Sequence, residues 1–257
     1  MLRKFAFLLT ALCALPAVMH AAATTGTISV SPAVVMLRGV AGQSTTQTLT
    51  VTNGSTQPFS FEMQANDVVV ENGQRRFSPA GQIAGSIAGT AAFSQKLVTV
   101  APGDTKQIDV TVTIPSNPAS RAVVALFHGT NKLEKNGFNM TASVGTLMTF
   151  TLSDDVAMEA QPLAVTPPSG SANLTVAQEC TNSGREPIVA KGMLAIVGGS
   201  GNLVGKTALP ARRLLPGEKT DIRAEYGGDL APGHYRALVT YDVESKLVTS
   251  SAEFDVR

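Results

Sequence analysis

The sequence predicts an all-β chain: two tandem β-sandwich domains of immunoglobulin type behind an N-terminal signal peptide. Three observations predict it. Short apolar runs with a period of two are separated by Gly, Pro, Asn or Ser, and no stretch after residue 23 shows helical periodicity. The phrase TNGSTQP at 52–58 returns as TNSGREP at 181–187. APGDTKQIDVTV at 101–112 is echoed by LPGEKTDIRAEY at 215–226, and Ser120-Arg121-Ala122-Val123-Val124 by Tyr235-Arg236-Ala237-Leu238-Val239. Pro102 and Pro216 lie 114 positions apart, Arg121 and Arg236 115 apart. An offset of that size is a whole domain, so the repeat is a tandem of sandwiches rather than a solenoid.

Residues 1–23 read MLRKFAFLLTALCALPAVMHAAA. Arg3 and Lys4 form a basic start, Phe5–Leu15 an apolar run too short to stay in a bilayer, and Ala21-Ala22-Ala23 a small-residue cleavage site. Their removal takes the formal charge from +1 (20 basic, 19 acidic) to −1 (18 basic, 19 acidic). That balance offers nothing to a nucleic acid or an anionic membrane, and no later run is long enough for a span. Cys13 leaves with the leader, so Cys180 has no partner for an internal disulfide and reads as a small buried hydrophobe.

The first domain is expected over 24–156 and the second over 157–257, with Pro162, Pro167 and Pro168 around the second domain's first strand. Thr46–Val51 and Phe59–Asn66 are strand-like, and the Asn-Gly segment between them reads as a turn joining antiparallel neighbours. The second copy repeats this plan with Asn173–Val176 and Ile188–Val197. AGQIAGSIAGTAA at 80–92 has too few large side chains for a core of its own, which implies a loop packed on the first sandwich.

Catalytic chemistry is not legible. Gly205-Lys206-Thr207 ends like a phosphate-binding loop, but Ser200 stands where its first glycine belongs and Pro210 and Pro216 follow where a helix should; a glycine-rich hairpin fits better. His128 and His234 have no ligand-type residue at metal spacing, and Asp154 and Asp155 are adjacent rather than paired across a site. No nucleophile elbow occurs. The sequence therefore implies no enzyme, no metal, no cofactor and no small-molecule substrate. Asn53-Gly-Ser, Asn139-Met-Thr and Asn173-Leu-Thr match the glycosylation pattern at the level expected by chance.

FNMTASVGTLMTFTL at 138–152 carries more information. Its even positions, from Phe138, Met140, Ala142 and Val144 to Leu152, are apolar except Thr146; its odd positions are polar or glycine except Leu147. Unbroken, it would reach roughly 45–50 Å, beyond the five or six residues of an ordinary strand. The plain expectation is that the whole even face packs inside, with a bend near Gly145 shortening the strand; for Phe138–Ala142 the other reading, an apolar edge projecting beyond the sandwich, stands level with it. Such an edge is a template for another chain's backbone.

With these features the chain resembles the periplasmic pilus-assembly chaperones, which lend the last strand of their first Ig-like domain to an incomplete pilus subunit. TLTVTNGSTQPFSFEM resembles their Asn-containing turn, VTVAPGDTKQIDVTVTIP their Pro-Gly stretch, and IPSNPASRAVVALF part of their signature, with Pro118 and Ala119 replacing a basic residue and Glu. The resemblance implies a periplasmic protein that binds an exported client, a pilus-type subunit or surface protein, by strand addition along 138–152. It also implies an Arg of the first strand and a Lys of the last strand around the client's terminal carboxylate. The last strand here has no basic residue, which leaves Arg38 and Arg121 as candidate anchors; a surface position beside a turn is the plainer reading of each. Two other classes stand beside the chaperone. One is a structural or adhesive Ig-like protein of the envelope, cell surface or secreted fraction. The other is a hydrolase or carbohydrate binder, disfavoured by zero Trp and three Tyr.

Overall fold

The computed structural model describes residues 27–132 and 139–257; the leader expected over 1–23 lies outside them, as does Phe138. The first sandwich is built from β1 (Ile28–Ser31), β2 (Val34–Arg38), β3 (Ser44–Asn53), β4 (Phe59–Glu71), β5 (Gln74–Pro79), β6 (Ala92–Phe93), β7 (Leu97–Val100), β8 (Thr105–Thr113), β9 (Ala122–Lys132) and β10 (Asn139–Thr151). One sheet runs β1-β3-β8-β6; the other runs β2-β10-β9-β4-β5, with β7 also on β4. Among the described residues only β2 and β10 pair in parallel. The second sandwich follows with β11 (Met158–Ala160), β12 (Ala164–Thr166), β13 (Leu174–Asn182), β14 (Ile188–Gly198), β15 (Leu203–Leu214), β16 (Lys219–Tyr226), β17 (Gly233–Val243) and β18 (Lys246–Val256). Its sheets are β11-β13-β12 with β16, and β15-β14-β17-β18.

Each pair of sheets closes on its own core, because alternate residues of every long strand turn inward. Leu49, Val51, Phe59, Phe61, Ile108, Phe127 and Phe150 fill the first. Leu174, Val176, Cys180, Ile196, Val239 and Tyr241 fill the second, and Val156 already belongs to it. Cys180 is buried there as a small apolar residue. Gly205-Lys206-Thr207 lies within β15, in the β14–β15 hairpin, not before a helix.

The repeated phrase does not join neighbours in one sheet, as the sequence suggested. Asn53 ends β3 in one sheet and Phe59 opens β4 in the other, so the segment carries the chain across the sandwich. The side chain of one buried asparagine braces the corner. Asn53 is fully buried; its Nδ2 donates to the carbonyls of Gln57 (2.8 Å) and Val100 (2.9 Å), and its Oδ1 accepts from the Ser55 amide (3.0 Å). Asn182 does the same work: Nδ2 to the carbonyls of Glu186 (2.8 Å) and Leu214 (3.0 Å), Oδ1 from the Gly184 amide (3.0 Å). The Pro-Gly echo belongs to the same corner. Gly103 donates to the Asn53 carbonyl (2.7 Å) and Gly217 to that of Asn182 (2.8 Å). Both glycines sit at φ near +78°, where a side chain would be strained. The two recurring phrases are thus two halves of one hydrogen-bonded device.

The 80–92 segment packs on the first sandwich as expected, but it contributes more to the core than its composition suggests. Ile87 and Ala88 are buried in that core. Buried Asp67 holds them, accepting from the amides of Ile87 (3.0 Å) and Ala88 (3.1 Å) and from Ser86 Oγ.

The predicted bend at Gly145 is absent. Strand β10 pairs β9 from Asn139 through Thr149 without a register shift. Glycine serves close packing here: a Cβ would lie 2.9 Å from Val124 Cγ2 and 3.0 Å from the Ala125 carbonyl. The even face turns inward as expected, with Thr146, Met148 and Phe150 buried and Ala142, Val144 and Leu152 half-buried against the core. Thr146, the polar exception, donates its hydroxyl to the Pro32 carbonyl at 2.6 Å.

The sandwiches meet in a mixed junction. Val68, Ala122 and Leu215 form a small buried cluster with Val70, Val124 and Leu147 at its margin. Arg75 donates to Glu218 (2.9 Å) and to the Arg213 carbonyl (2.8 Å), and the Lys219 amide to the Gly73 carbonyl (2.9 Å).

Candidate functional site: a bare edge on the last strand of the first sandwich

Along one side, β10 is paired over most of its length. Along the other, β2 covers only Leu147–Thr151. Among the described residues no strand pairs that second side over Asn139–Thr146. The direction of each backbone group follows from two bonds. The Leu147 amide donates to the Ala33 carbonyl (3.0 Å), toward β2; the Phe150 amide donates to the Arg121 carbonyl (2.8 Å), toward β9. Successive residues of a strand alternate in this respect. Asn139, Thr141, Ser143 and Gly145 therefore present their N–H and C=O to the bare side, over roughly 20 Å.

Beside this edge the core is incompletely closed. Ala142 and Val144 on β10, and Ile28 and Val30 on β1 of the facing sheet, are all half-buried against the same core. On the outer face, Thr141 and Ser143 are exposed, with His128 Nδ1 2.9 Å from Ser143 Oγ. Where β2 begins, Thr146 and Pro32 close the groove. The arrangement offers main-chain donors and acceptors in a row, with apolar room on the inner side. That is what an extended polypeptide needs to join a sheet.

The candidate residues separate accordingly. Ala142 and Val144 flank the bare edge. Met140 lies in β10 opposite Asn131, its side chain outside the described residues, and Phe138 is outside them altogether. Arg38, opposite Thr151 on β2, and Arg121, whose carbonyl accepts from the Phe150 amide, flank the end of β10, but their guanidiniums bind different carboxylates. Arg38 is 67% exposed and binds Asp154 at 2.9 Å. Arg121 is not the surface residue expected: it is 15% exposed and binds Glu186, itself 1% exposed, at 3.3 Å across the junction. Each guanidinium already holds a carboxylate of its own chain.

Two features escaped sequence reasoning. The polar odd positions of β10 are the ones whose backbone is free, which only the long-range register with β2 reveals. Glu186 accepts from the Leu152 amide (3.0 Å), Ser153 Oγ (2.7 Å) and Arg121, and so ties the end of β10 to the second sandwich. Its signal was present: the second phrase has Arg185-Glu186 where the first has Thr56-Gln57. Arg213 also reaches β10, its Nη1 3.4 Å from Thr149 Oγ1; burial, and then Arg75, lower its guanidinium from the ordinary value.

No family model and no curated protein matches the chain. Among solved structures it is similar to the class 5 fimbriae chaperone CfaA, at 10% identity and a TM-score of 0.47 over 90% of this chain and 99% of that one. It is similar to the E. coli chaperone DraB at 13% identity and 0.41, covering 90% and 98%. It is also similar to a chain of the Salmonella enterica SafA pilin–SafB chaperone complex at 13% and 0.41, covering 91% and 99%. The likeness spans both sandwiches.

Proposed function

We propose that this chain is an exported, chaperone-like binding protein, not an enzyme, that takes up an extended segment of another exported polypeptide along β10. The observation supporting this reading is the row of unpaired backbone groups on Asn139, Thr141, Ser143 and Gly145, set beside an apolar opening. A bare apolar edge is a liability in a protein that must stay monomeric, and its retention is accounted for by strand addition. The leader-like residues 1–23 support a periplasmic location in this reading, and the sequence resemblance supports a pilus-type subunit or surface protein as the client. With Arg38 and Arg121 held by Asp154 and Glu186, affinity in this reading comes from main-chain bonds and apolar contacts rather than from a carboxylate clamp between those two.

Ser143→Pro tests it, because proline removes an amide that faces the bare side and leaves the β9 ladder intact. Tagged wild type and variant are recovered from an envelope extract and their partners identified by mass spectrometry. An exported polypeptide present with wild type and lost with the variant supports the reading. Identical partners would favour a structural Ig-like spacer.

A further inference from the structure

The two inward side chains of the bare edge differ in size, and the rows behind them differ too. Ala142 pairs with Gly129, and Gly129 with Phe61; Val144 pairs with Phe127, and Phe127 with Met63. Because Gly129 has no side chain, the Phe61 ring lies over it: a Cβ there would fall 2.5 Å from Phe61 Cε1. That ring belongs to an aromatic group, 5.8 Å from Phe59 and 6.1 Å from Phe127 between centroids. From the core outward one row therefore reads ring, no side chain, methyl, open edge. The neighbouring row reads Met63, Phe127, Val144, open edge. A strand continuing this sheet sets one inward side chain beside Ala142 and another, two residues along, beside Val144. Thr146, buried and bonded to Pro32, ends the groove.

We infer that the segment accepted by β10 is apolar at every second position and carries its largest side chain, Leu, Ile, Met or Phe, at the place beside Ala142. The methyl of Ala142 fills less of the inward face at its place than Val144 does at the next, and Ile28 and Val30 of the facing sheet are half-buried there. This inference rests on strand addition and specifies the client's sequence. It makes Ala142 a residue that sets specificity by size.

The test selects displayed extended segments, randomised at two alternate positions, on the full chain and on Ala142→Leu and Ala142→Gly, each variant shown to fold by its unfolding midpoint. Ser143→Pro serves as the backbone control. Wild type should enrich a large apolar residue at one position. Ala142→Leu should bind the wild-type winners about tenfold more weakly and enrich Ala or Val there, and Ala142→Gly should favour Phe. Binding lost on Ser143→Pro but identical in size preference across the Ala142 variants overturns the size inference alone. Binding that survives Ser143→Pro, or no enrichment on wild type, overturns strand addition and the size inference with it.

Discussion

The Leu147 amide donates to the Ala33 carbonyl at 3.0 Å, and at that bond the doubly paired part of β10 begins. Toward Asn139, every odd residue faces away from β9 and every even residue faces toward it. Proline scanning should read out this alternation. Ser143→Pro should change stability by less than about 1 kcal/mol, while Val144→Pro removes a ladder bond and should cost about 3 kcal/mol or more. Urea midpoints of the two variants check it.

Asn53 and Asn182 each brace a corner with a buried side chain. Replacing either by Ala removes three hydrogen bonds, while Ser55 Oγ still reaches the Gln57 carbonyl in the first corner and the Gly184 amide still reaches the Ala157 carbonyl in the second, so the cost should be about 1–3 kcal/mol. Asn→Asp should cost nearly as much, because it keeps the acceptor and loses both donors. Denaturant unfolding measured by a probe in each sandwich should report the loss in the sandwich that was changed.

Glu186 should matter beyond its own sandwich. Three donors converge on its carboxylate, one from the guanidinium of Arg121 and two from the segment that follows β10. Glu186→Ala strands a nearly buried cation and should destabilise by about 3–5 kcal/mol. A double-mutant cycle with Arg121→Ala should return a coupling of about 1–3 kcal/mol, and a coupling near zero would dismiss the pair.

How much of this was legible in the sequence depends on range. The period of two in 138–152, and the doubled phrases, report local geometry, so the sandwiches and the inward face of β10 could be read from residues alone. The crossing at Asn53 could not: a polar Asn-Gly segment looks the same whether it returns the chain within a sheet or carries it across. Likewise Gly145 permits a bend and also permits close packing, and only Val124 and Ala125 decide between them. Arg121 seemed a surface residue because its partner lies 65 positions away, in the other sandwich.

Cys180 provides a pH signature. Burial pushes its thiol above the ordinary 9.0, so the folded state holds the proton more tightly than the unfolded one. That contribution is complete below about pH 9 and lost as pH rises through the folded value. Tyr241, also raised by burial, adds to the loss at higher pH. Stability should therefore fall on the alkaline side, less steeply in Cys180→Ala. The thiol of the folded wild type should resist alkylation at neutral pH and react on unfolding.

The most direct measurement of the central claim is amide hydrogen exchange along β10, residue by residue, in the free chain and in its complex with a captured client. Free, Ala142 and Val144 should be protected by β9 while Thr141, Ser143 and Gly145 exchange quickly. In the complex, strand addition predicts new protection at those three odd positions. If they stay fast while the client remains bound, the client sits elsewhere and β10 is not its partner.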